Sequence, residues 1–315
     1  MAKIAFVFPG QGSQTVGMGK ELSEQFLSVK EYFTTADRAL GDELSKLIFE
    51  GPQEKLTLTA NTQPALLTTS MAVLSRFTDA GINPDFVAGH SLGEYTALAA
   101  AGVLSFEDAV TLVRKRGEFM EEAVPAGLGS MAAVLGSDRS KLEELTSAIT
   151  AEGKSVQLAN INCPGQIVIS GSAEGVKEVA DRAKEIGAKR VLPLDVSGPF
   201  HSRLMEPASA KLKDAFGAKK WHDSSIPVIS NVTAQPVTSA KEIQSLLIEQ
   251  LYSPVLWQDC VEKMIELGVD TFVEIGPGKV LSGLIKKTNR SVKLYSACSE
   301  EEVQAVVGAL KEELL

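Results

Sequence analysis

Residues 89–93 read Gly-His-Ser-Leu-Gly, and no other part of the chain indicates chemistry as directly. The pentapeptide follows the short apolar run Phe86–Ala88 and precedes an alanine-rich, helix-prone stretch. A serine in such a strand–turn–helix context exposes its hydroxyl above a sheet, and the N-terminus of the helix supplies N–H groups that can stabilise an oxyanion. The pattern therefore predicts a nucleophilic Ser91 in preference to an ordinary strand-to-helix turn.

A serine nucleophile needs a base, usually a histidine, and the chain has three. His90 adjoins Ser91 and is a poor base, because neighbouring side chains on a tight turn point apart. His222 lies in a polar connection, where we expect it to be solvated. His201 lies at a predicted domain junction, where a side chain can face a cleft. By elimination we predict that His201 is the base, the alternative being a structural histidine at the start of a helix.

A third group should orient the imidazole of this pair. Asp195 lies between Ser91 and His201, so the chain order Ser, Asp, His of α/β-hydrolases is available. Asp195 is, however, only six residues from His201, and the alternating strand there could bury it or expose it. A backbone or amide carbonyl could orient the imidazole instead, and both alternatives stay open at this point.

The run Arg114-Lys115-Arg116 lies in a predicted helix, Phe106–Glu122, whose apolar side chains form one stripe. At about 100° per residue, Arg116 falls roughly 70° from the centre of the stripe, Arg114 roughly 90°, and Lys115 almost opposite. Arg116 should therefore lean inward, whereas the alternative is a solvated basic face. A buried guanidinium needs an anion, and a carboxylate fits it with two parallel hydrogen bonds.

The loop Pro9–Gln14 is a further glycine-rich segment after a predicted strand. It is not a dinucleotide-binding loop, because the last glycine of G-x-G-x-x-G would fall at Thr15. A turn of this kind can still bring a backbone N–H close to a reacting atom. The histidines and cysteines lack metal-ligand spacing, so we expect neither a metal ion nor a cofactor.

The elements that must position these residues alternate between short β-like runs and longer helical stretches. Most strand candidates are continuously apolar, as parallel strands covered on both faces are. This predicts an α/β fold with an α/β-hydrolase-like core and a mainly parallel sheet. The strand candidates are Lys3–Phe8, Phe86–Ala88, Pro227–Ser230, Thr271–Ile275 and Val292–Ala297. The helix candidates include Gln63–Ala80, Phe106–Glu122, Lys241–Leu251 and Leu256–Leu267.

Residues 127–197 have a different rhythm, which predicts an inserted small domain with the order β-α-β-β-α-β, a ferredoxin-like unit. Its hairpin turn is predicted at Asn162–Gly165 and its last strand at Arg190–Val196. The large α/β domain then consists of residues 1–126 and 198–315.

The chain has 315 residues, a net charge of −9 and 44% hydrophobic residues. The acidic balance argues against a nucleic-acid-binding protein. The first residues indicate a buried strand and not a signal peptide, and no stretch is apolar for long enough to cross a bilayer. Cys163, Cys260 and Cys298 are far apart and odd in number, so we expect buried, reduced thiols and a cytoplasmic protein. Nothing indicates an obligate interface, so we expect a monomer that does not bind membranes.

Five ordered motifs resemble the malonyl-CoA:acyl-carrier-protein transacylases of type II fatty acid synthesis. They are FPGQGSQ near the N-terminus, GHSLGEY, RKRGEFM, SGPFHS and QLYSPV, and a Gly-Pro-Gly motif follows them. The resemblance runs from residue 3 to about residue 290. It implies that Ser91 is acylated, that His201 is its base, and that the backbone carbonyl of Gln250 orients His201 in place of an acid.

The resemblance also implies roles for the residues around the serine. Backbone N–H groups of Gln11 and Leu92 would stabilise the oxyanion, and Arg116 would hold the malonyl carboxylate. Phe200 resembles the malonyl-selecting variants of the family, and Asn162 would line the cleft from the small domain. The expected substrate-binding residues are Arg116, Asn162, Phe200 and His90.

The implied reaction is ping-pong transfer of the malonyl group from malonyl-CoA, through Ser91, to the phosphopantetheine thiol of acyl carrier protein. Because such carriers are acidic and this chain is acidic too, docking would need a local basic patch, the alternative being scattered solubilising charges. A serine thioesterase or esterase of α/β-hydrolase type is the alternative function. A non-catalytic carrier-binding subunit would lack the serine or the histidine. The candidate docking residues are Lys189, Arg190, Lys286, Lys287 and Arg290.

Overall fold

The computed structural model describes residues 3–125 and 127–314. Its strands, in chain order, are β1 (Ile4–Phe8), β2 (Phe86–Gly89), β3 (Gly129–Leu135), β4 (Val156–Cys163), β5 (Gln166–Ser172), β6 (Arg190–Pro193), β7 (Val228–Ile229), β8 (Pro236–Val237), β9 (Thr271–Ile275) and β10 (Lys293–Ala297). Its α-helices are α1 (Lys20–Gln25), α2 (Leu27–Leu40), α3 (Leu44–Glu50), α4 (Gln53–Thr57), α5 (Thr59–Asp79), α6 (Leu92–Ala100), α7 (Phe106–Glu122), α8 (Arg139–Ala151), α9 (Ala173–Arg182), α10 (Glu206–Phe216), α11 (Ala240–Gln250), α12 (Trp257–Glu266), α13 (Val280–Thr288) and α14 (Glu300–Leu314). Short 3₁₀ helices span Ala183–Ile186 and Arg203–Met205.

The larger sheet has the strand order β10-β9-β1-β2-β7-β8. All neighbouring strands in it are parallel except β7 and β8, which pair antiparallel. All five residues of β1 and of β9 are buried, as expected for central parallel strands that are covered on both faces. The prediction of an α/β fold with a mainly parallel sheet is therefore confirmed. Strand β2 lies inside this sheet, so the turn after Gly89 opens at its carboxyl edge, where ligands bind in open α/β sheets.

The smaller sheet has the order β4-β5-β3-β6, and every neighbouring pair in it is antiparallel. Its elements follow the predicted order β-α-β-β-α-β, and helices α8 and α9 share an apolar core with it. Two predicted bounds were wrong. Strand β4 continues to Cys163, so only Pro164 and Gly165 form the turn, with Gly165 in the left-handed region at φ 74°. Strand β6 ends at Pro193, because it pairs with β3 over four residues only.

Main-chain hydrogen bonds join strand β4 of the small sheet to the loop after α11. Val255 accepts from the Ile161 N–H at 2.9 Å and donates to the Ala159 carbonyl at 2.8 Å. This parallel bridge holds β4 against the loop that follows Gln250. Ala126, at the predicted domain junction, lies outside the described residues. None of the helices in the described ranges is both long and apolar enough to cross a membrane.

Candidate active site

Ser91 occupies the tight turn between β2 and α6 with φ 52° and ψ −104°, a strained conformation for a residue with a side chain. Glycines on either side make the turn sterically possible. A Cβ on Gly89 would lie 2.0 Å from the Gly93 carbonyl, and a Cβ on Gly93 would lie 2.1 Å from the Phe8 carbonyl oxygen. The backbone therefore packs too closely here for any other residue, and the serine hydroxyl is directed into the cleft above the sheet.

The structure brings His201 to the serine. Ser91 Oγ lies 2.8 Å from His201 Nε2, and His201 Nδ1 lies 2.8 Å from the main-chain oxygen of Gln250. A carbonyl only accepts, so Nδ1 carries the proton and Nε2 is free to accept from the serine hydroxyl. His201 is 3% exposed, and burial together with the positive charge of Arg116 lowers its pKa to about 3. The imidazole is therefore neutral at neutral pH, in the form that can take a proton.

Gln250 is the last residue of α11, where a main-chain carbonyl has no partner within the helix. Its oxygen is the acceptor for His201, and the helix C-terminus favours the imidazolium that forms when the serine is deprotonated. Asp195, the acid considered in the sequence, is exposed to solvent, and Nδ1 of the imidazole bonds the Gln250 carbonyl instead. The geometry therefore favours the carbonyl over the carboxylate as the orienting group.

Arg116 projects from α7 into the same cleft and is 1% exposed. Its Nη2 donates to Ser91 Oγ at 3.1 Å and to Gln250 Oε1 at 3.0 Å, and its Nη1 donates to Gln63 Oε1 at 2.7 Å. Arg114 and Lys115 keep 14% and 56% of their side chains exposed, which confirms the predicted order around the helix.

No carboxylate of the described residues forms an ion pair with Arg116. Its Nε is buried without a hydrogen-bond partner in that part of the chain. A buried cation of this kind is costly unless an anion joins it. Arg116 therefore keeps one N–H donor free for a carboxylate that enters the cleft beside the serine.

A cavity of about 130 Å³ opens above the serine between the two sheets. Gln11 and Leu92 both line it, and Leu92 is the first residue of α6, where a backbone N–H has no partner within the helix. Phe200 lines it as well and is 6% exposed, so an aromatic wall limits its size. The remaining lining residues are His90, Ser91, Arg116, Met120, Met131, Asn160, Leu194, Val196 and His201.

Asn162 and His90 meet at the edge of the cleft. Asn162 Oδ1 lies 2.8 Å from His90 Nε2, and Asn162 is 8% exposed. The residue of β4 that lines the cavity is Asn160, two positions earlier on the strand. Burial lowers the pKa of His90, which favours a neutral ring. Asn162 thus holds the residue next to the nucleophile, and the bond ties the small sheet to the turn.

Sequence reasoning missed Asn231 and Glu94. Asn231 Oδ1 accepts from the Ser91 N–H at 2.7 Å, and its Nδ2 donates to the Gly89 carbonyl at 2.8 Å. Asn231 therefore clamps the strained turn and occupies the Ser91 N–H, which leaves the oxyanion to other donors. Glu94 is 3% exposed and lies in the GHSLGEY motif, the one signal that could have indicated it.

The side chain of Gln250 was also missed, because only its carbonyl had an expected role. Its Oε1 accepts from Arg116, and its Nε2 donates to the Ser91 carbonyl at 3.1 Å and to Glu94 Oε2 at 2.7 Å. The buried amide thereby connects the arginine of α7 with the turn and with Glu94 of α6. The main-chain carbonyl of the same residue holds His201, so Gln250 fixes the relative positions of the base, the arginine and the turn.

Other predicted residues lie outside the cleft. His222 is exposed, as expected for a polar connection. Cys163 and Cys260 are buried, Cys298 is partly buried, and burial raises the pKa of all three thiols. In the parts of the chain that the structure describes, no cluster of three or more histidine, cysteine or acidic side chains could hold a metal ion.

The fold and this serine–histidine site define an acyl transferase. The family model for the acyl transferase domain matches residues 5–314, and the chain belongs to that family. It is similar to the malonyl CoA-acyl carrier protein transacylase of Bacillus subtilis (strain 168), with 60% identity over 313 residues that cover 99% of both chains.

Two solved structures share the fold over nearly the full chain. The acyl-carrier-protein-S-malonyltransferase from Bartonella henselae aligns with a TM-score of 0.95 and 45% identity, covering 98% of this chain and 99% of that one. A malonyl-transacylase in complex with a type II PKS acyl-carrier protein aligns with a TM-score of 0.94 and 40% identity, covering 98% and 100% of the two chains.

Proposed function

We propose that this chain transfers the malonyl group from malonyl-CoA to the phosphopantetheine thiol of acyl carrier protein, through a malonyl ester on Ser91. One observation carries the proposal: a buried arginine without a carboxylate partner donates to the serine hydroxyl at 3.1 Å. A hydrolase of neutral acyl groups has no use for that charge. The names of the relatives support the same reaction.

In the first half-reaction, His201 Nε2 takes the proton of Ser91 as Oγ attacks the thioester carbonyl. The C–S bond to CoA then breaks, and the imidazolium returns the proton to the leaving thiolate. The Gln250 carbonyl, 2.8 Å from Nδ1, keeps the imidazole aligned and stabilises its charged form. In the second half-reaction, the carrier thiol gives its proton to His201 and attacks the malonyl ester, and Ser91 is regenerated. No step of this scheme requires a metal ion or a cofactor.

The N–H groups of Gln11 and Leu92 stabilise the tetrahedral oxyanion. Both residues line the cavity, and Leu92 offers a free helix N-terminal N–H. Ser91 N–H cannot serve, because Asn231 already accepts from it. Gly10 allows the approach, since a Cβ there would lie 2.5 Å from the carbonyl oxygen of His90.

Arg116 selects the acyl group by pairing with the malonyl carboxylate. The pairing also activates the base, because the positive charge of Arg116 lowers the pKa of His201, and a bound carboxylate offsets that charge. A malonyl group thus makes His201 a stronger base than an uncharged acyl group does. Phe200, with its ring in the cavity wall, excludes a branched methylmalonyl unit, while Asn162 and His90 close the edge of the substrate site.

The acyl carrier protein docks on an exposed basic surface at the end of the small sheet. Lys287 Nζ of α13 donates to Gln166 Oε1 at 3.2 Å. In the small sheet, Leu135 of β3 lies between Gln166 of β5 on one side and Arg190 of β6 on the other. These contacts connect the basic end of α13 with the basic start of β6. All members of the surface are exposed, and none forms an ion pair with a described carboxylate. The basic surface consists of Lys189, Arg190, Lys286, Lys287 and Arg290.

The chain acts as a monomer of two domains. The strand order of the small sheet, with a helix after its first strand and after its third, supports a ferredoxin-like domain over residues 127–197. The elbow on a parallel sheet supports an α/β-hydrolase-like core in residues 1–126 and 198–315. The cleft then lies between the domains, which is a common place for a substrate site.

A product assay tests the proposed function. The chain is mixed with malonyl-CoA and phosphopantetheinylated acyl carrier protein, and malonyl-carrier and free malonate are followed separately. We expect malonyl-carrier to accumulate at the rate at which CoA is released. Release of free malonate without malonyl-carrier would instead identify a thioesterase.

A further inference from the structure

Glu94 is a buried acid that the scheme above does not use. It is 3% exposed on the first turn of α6, three residues after the nucleophile. Its Oε2 accepts from Gln250 Nε2 at 2.7 Å and from the Asn231 N–H at 3.2 Å. None of the lysines and arginines in the described ranges pairs with it directly. A carboxylate in such a place is costly unless some charge compensates it.

The compensating charge is Arg116, reached through one amide. Gln250 accepts from Arg116 Nη2 with its Oε1 and donates to Glu94 Oε2 with its Nε2. The amide dipole is therefore aligned between a cation and an anion, which strengthens both hydrogen bonds. The two charged groups lie on different helices, α7 and α6, with Gln250 of α11 between them.

The other titratable groups that face Glu94 are uncharged near neutral pH. Tyr95 follows it on α6, and burial raises the pKa of that phenol. Cys260 faces it from α12, and burial raises the pKa of its thiol as well. His201, next to Arg116, is neutral as well, because burial and the charge of Arg116 lower its pKa to about 3. Above pH 7 the buried site thus holds one positive group and one negative group before substrate binds.

We propose that Glu94 is the counter-charge of Arg116 in the resting site, and that it takes up a proton when the malonyl carboxylate pairs with Arg116. The inference rests on the proposed function, because it needs a substrate carboxylate beside Arg116. One buried guanidinium cannot offset two carboxylates, so one of the two must be neutralised. Glu94 is the one that can be, because burial raises its pKa to about 7, whereas a malonyl carboxylate is held at the guanidinium itself.

The proton balance of acylation then has two parts. The Ser91 proton passes through His201 to the CoA thiolate as the ester C–O bond forms and the C–S bond breaks. A second proton comes from solvent and converts the Glu94 carboxylate to the acid. Glu94 is thus a positioning residue that makes formation of the malonyl-enzyme dependent on pH in the neutral range.

Glu94→Gln isolates the charge, because both hydrogen bonds are accepted by one oxygen and an amide oxygen can keep both. The fraction of malonylated chain is measured by intact mass at a fixed ratio of malonyl-CoA to CoA, from about pH 6 to about pH 9. In the wild type the equilibrium constant for malonyl transfer from CoA to the enzyme should fall about tenfold per pH unit above pH 7, because acylation takes up a proton. In Glu94→Gln this constant should not change with pH, and at pH 9 it should exceed the wild-type value.

Glu121→Gln is the matched control, since it removes a carboxylate from α7, where Glu121 is partly buried and bonds the Ala60 N–H at 3.3 Å. It should keep the wild-type pH dependence. Identical pH dependence in the wild type and Glu94→Gln overturns the inference. Failure of the wild type to form any malonyl-enzyme overturns the proposed function instead, so the two failures are distinguishable.

A measurement on the wild type alone covers the case in which Glu94→Gln does not fold. Malonyl-CoA is added in weak buffer between pH 7 and 8, and proton uptake is read with an indicator dye against the amount of malonyl-enzyme formed. We expect uptake of between about half a proton and one proton per malonyl group, increasing with pH. Acylation without proton uptake contradicts the inference.

Discussion

Replacing Arg116 by alanine tests the acyl-group selection most sharply. The guanidinium is 1% exposed, donates to the serine hydroxyl at 3.1 Å, and has no carboxylate partner among the described residues. In Arg116→Ala a malonyl carboxylate would enter a buried site without a cation. An acetyl group carries no charge, so it would enter the same site without the cost of burying an unpaired carboxylate. In the wild type, by contrast, a bound acetyl group leaves the buried guanidinium without a carboxylate partner.

The size of the effect follows from the cost of an unpaired buried charge. Removing one partner of a buried, hydrogen-bonded charge pair costs about 2–5 kcal/mol. At about 1.4 kcal/mol per factor of ten, kcat/KM for malonyl-CoA should fall roughly 30- to 4,000-fold. The value for acetyl-CoA should stay constant or increase. The ratio of the two constants removes any common effect of the lost hydrogen bonds to Ser91 and Gln250.

The assay is transfer to the carrier from malonyl-CoA and from acetyl-CoA, each over a range of concentrations. Arg114→Ala is the matched control, because it removes an arginine from the same helix that bonds Asp42 and Asn61 away from the cleft. It should leave the ratio unchanged. Equal losses with both substrates in Arg116→Ala would refute the reasoning, since they would mean that the arginine supports the site and does not read the carboxylate.

Gly93→Ala should lower the free energy of unfolding by about 3 kcal/mol or more, because the new Cβ would lie 2.1 Å from the Phe8 carbonyl oxygen. Denaturant titrations measure this loss, and unchanged stability would contradict the close packing of the turn at residues 89–93. Because the pKa of Glu94 is raised, between pH 4.5 and about 7 the folded chain holds a proton that the unfolded chain has lost. The free energy of unfolding of the wild type should therefore fall as pH rises through this window. Relative to the wild type, the free energy of unfolding of Glu94→Gln should therefore increase by up to roughly 3 kcal/mol as pH rises across that window. If the difference in unfolding free energy between the two proteins did not change with pH, Glu94 would not have a raised pKa. Lys287→Glu should raise the KM for carrier protein about 3- to 10-fold at low salt and less at high salt. Lys30→Glu on α2 is the control, since it makes the same change in charge and should leave this KM unchanged. An equal increase of KM in both variants would contradict the proposed docking surface.

The sequence predicted best those elements whose signals are local. Strand β9 has the predicted bounds, Thr271–Ile275, because Asp270 precedes it and the Gly-Pro-Gly turn at residues 276–278 ends it. Helix α7 also has the predicted bounds, Phe106–Glu122, and the Ser105 hydroxyl caps it by accepting from the Asp108 N–H at 3.1 Å. Helices α1 to α4 were not predicted, and none of them has a side-chain hydrogen bond at its N-cap. Three of them, α1, α3 and α4, are only five to seven residues long, which is too short for an apolar period of 3.6 residues to be clear.

The site divides in the same way. The nucleophile follows from its own turn, and the inward arginine follows from the periodicity of one helix. No local signal of this kind marks Glu94, Asn231 or the side chain of Gln250. Their roles arise only in the folded chain, where three helices and the loop after β7 meet. Nor could residue spacing distinguish Asn162 from Asn160, which are two positions apart on one strand; the fold alone shows that Asn160 lines the cavity.

The proposed transfer depends on an ester at one serine, formed with the help of one histidine. The direct test is intact mass of the chain after brief exposure to malonyl-CoA, followed by mapping of the modified peptide, for the wild type, Ser91→Ala and His201→Ala. We predict one malonyl group per wild-type chain, located on Ser91, none on Ser91→Ala, and slow labelling of His201→Ala. A malonyl group on Ser91→Ala, or labelling of His201→Ala at the wild-type rate, would contradict the central claim.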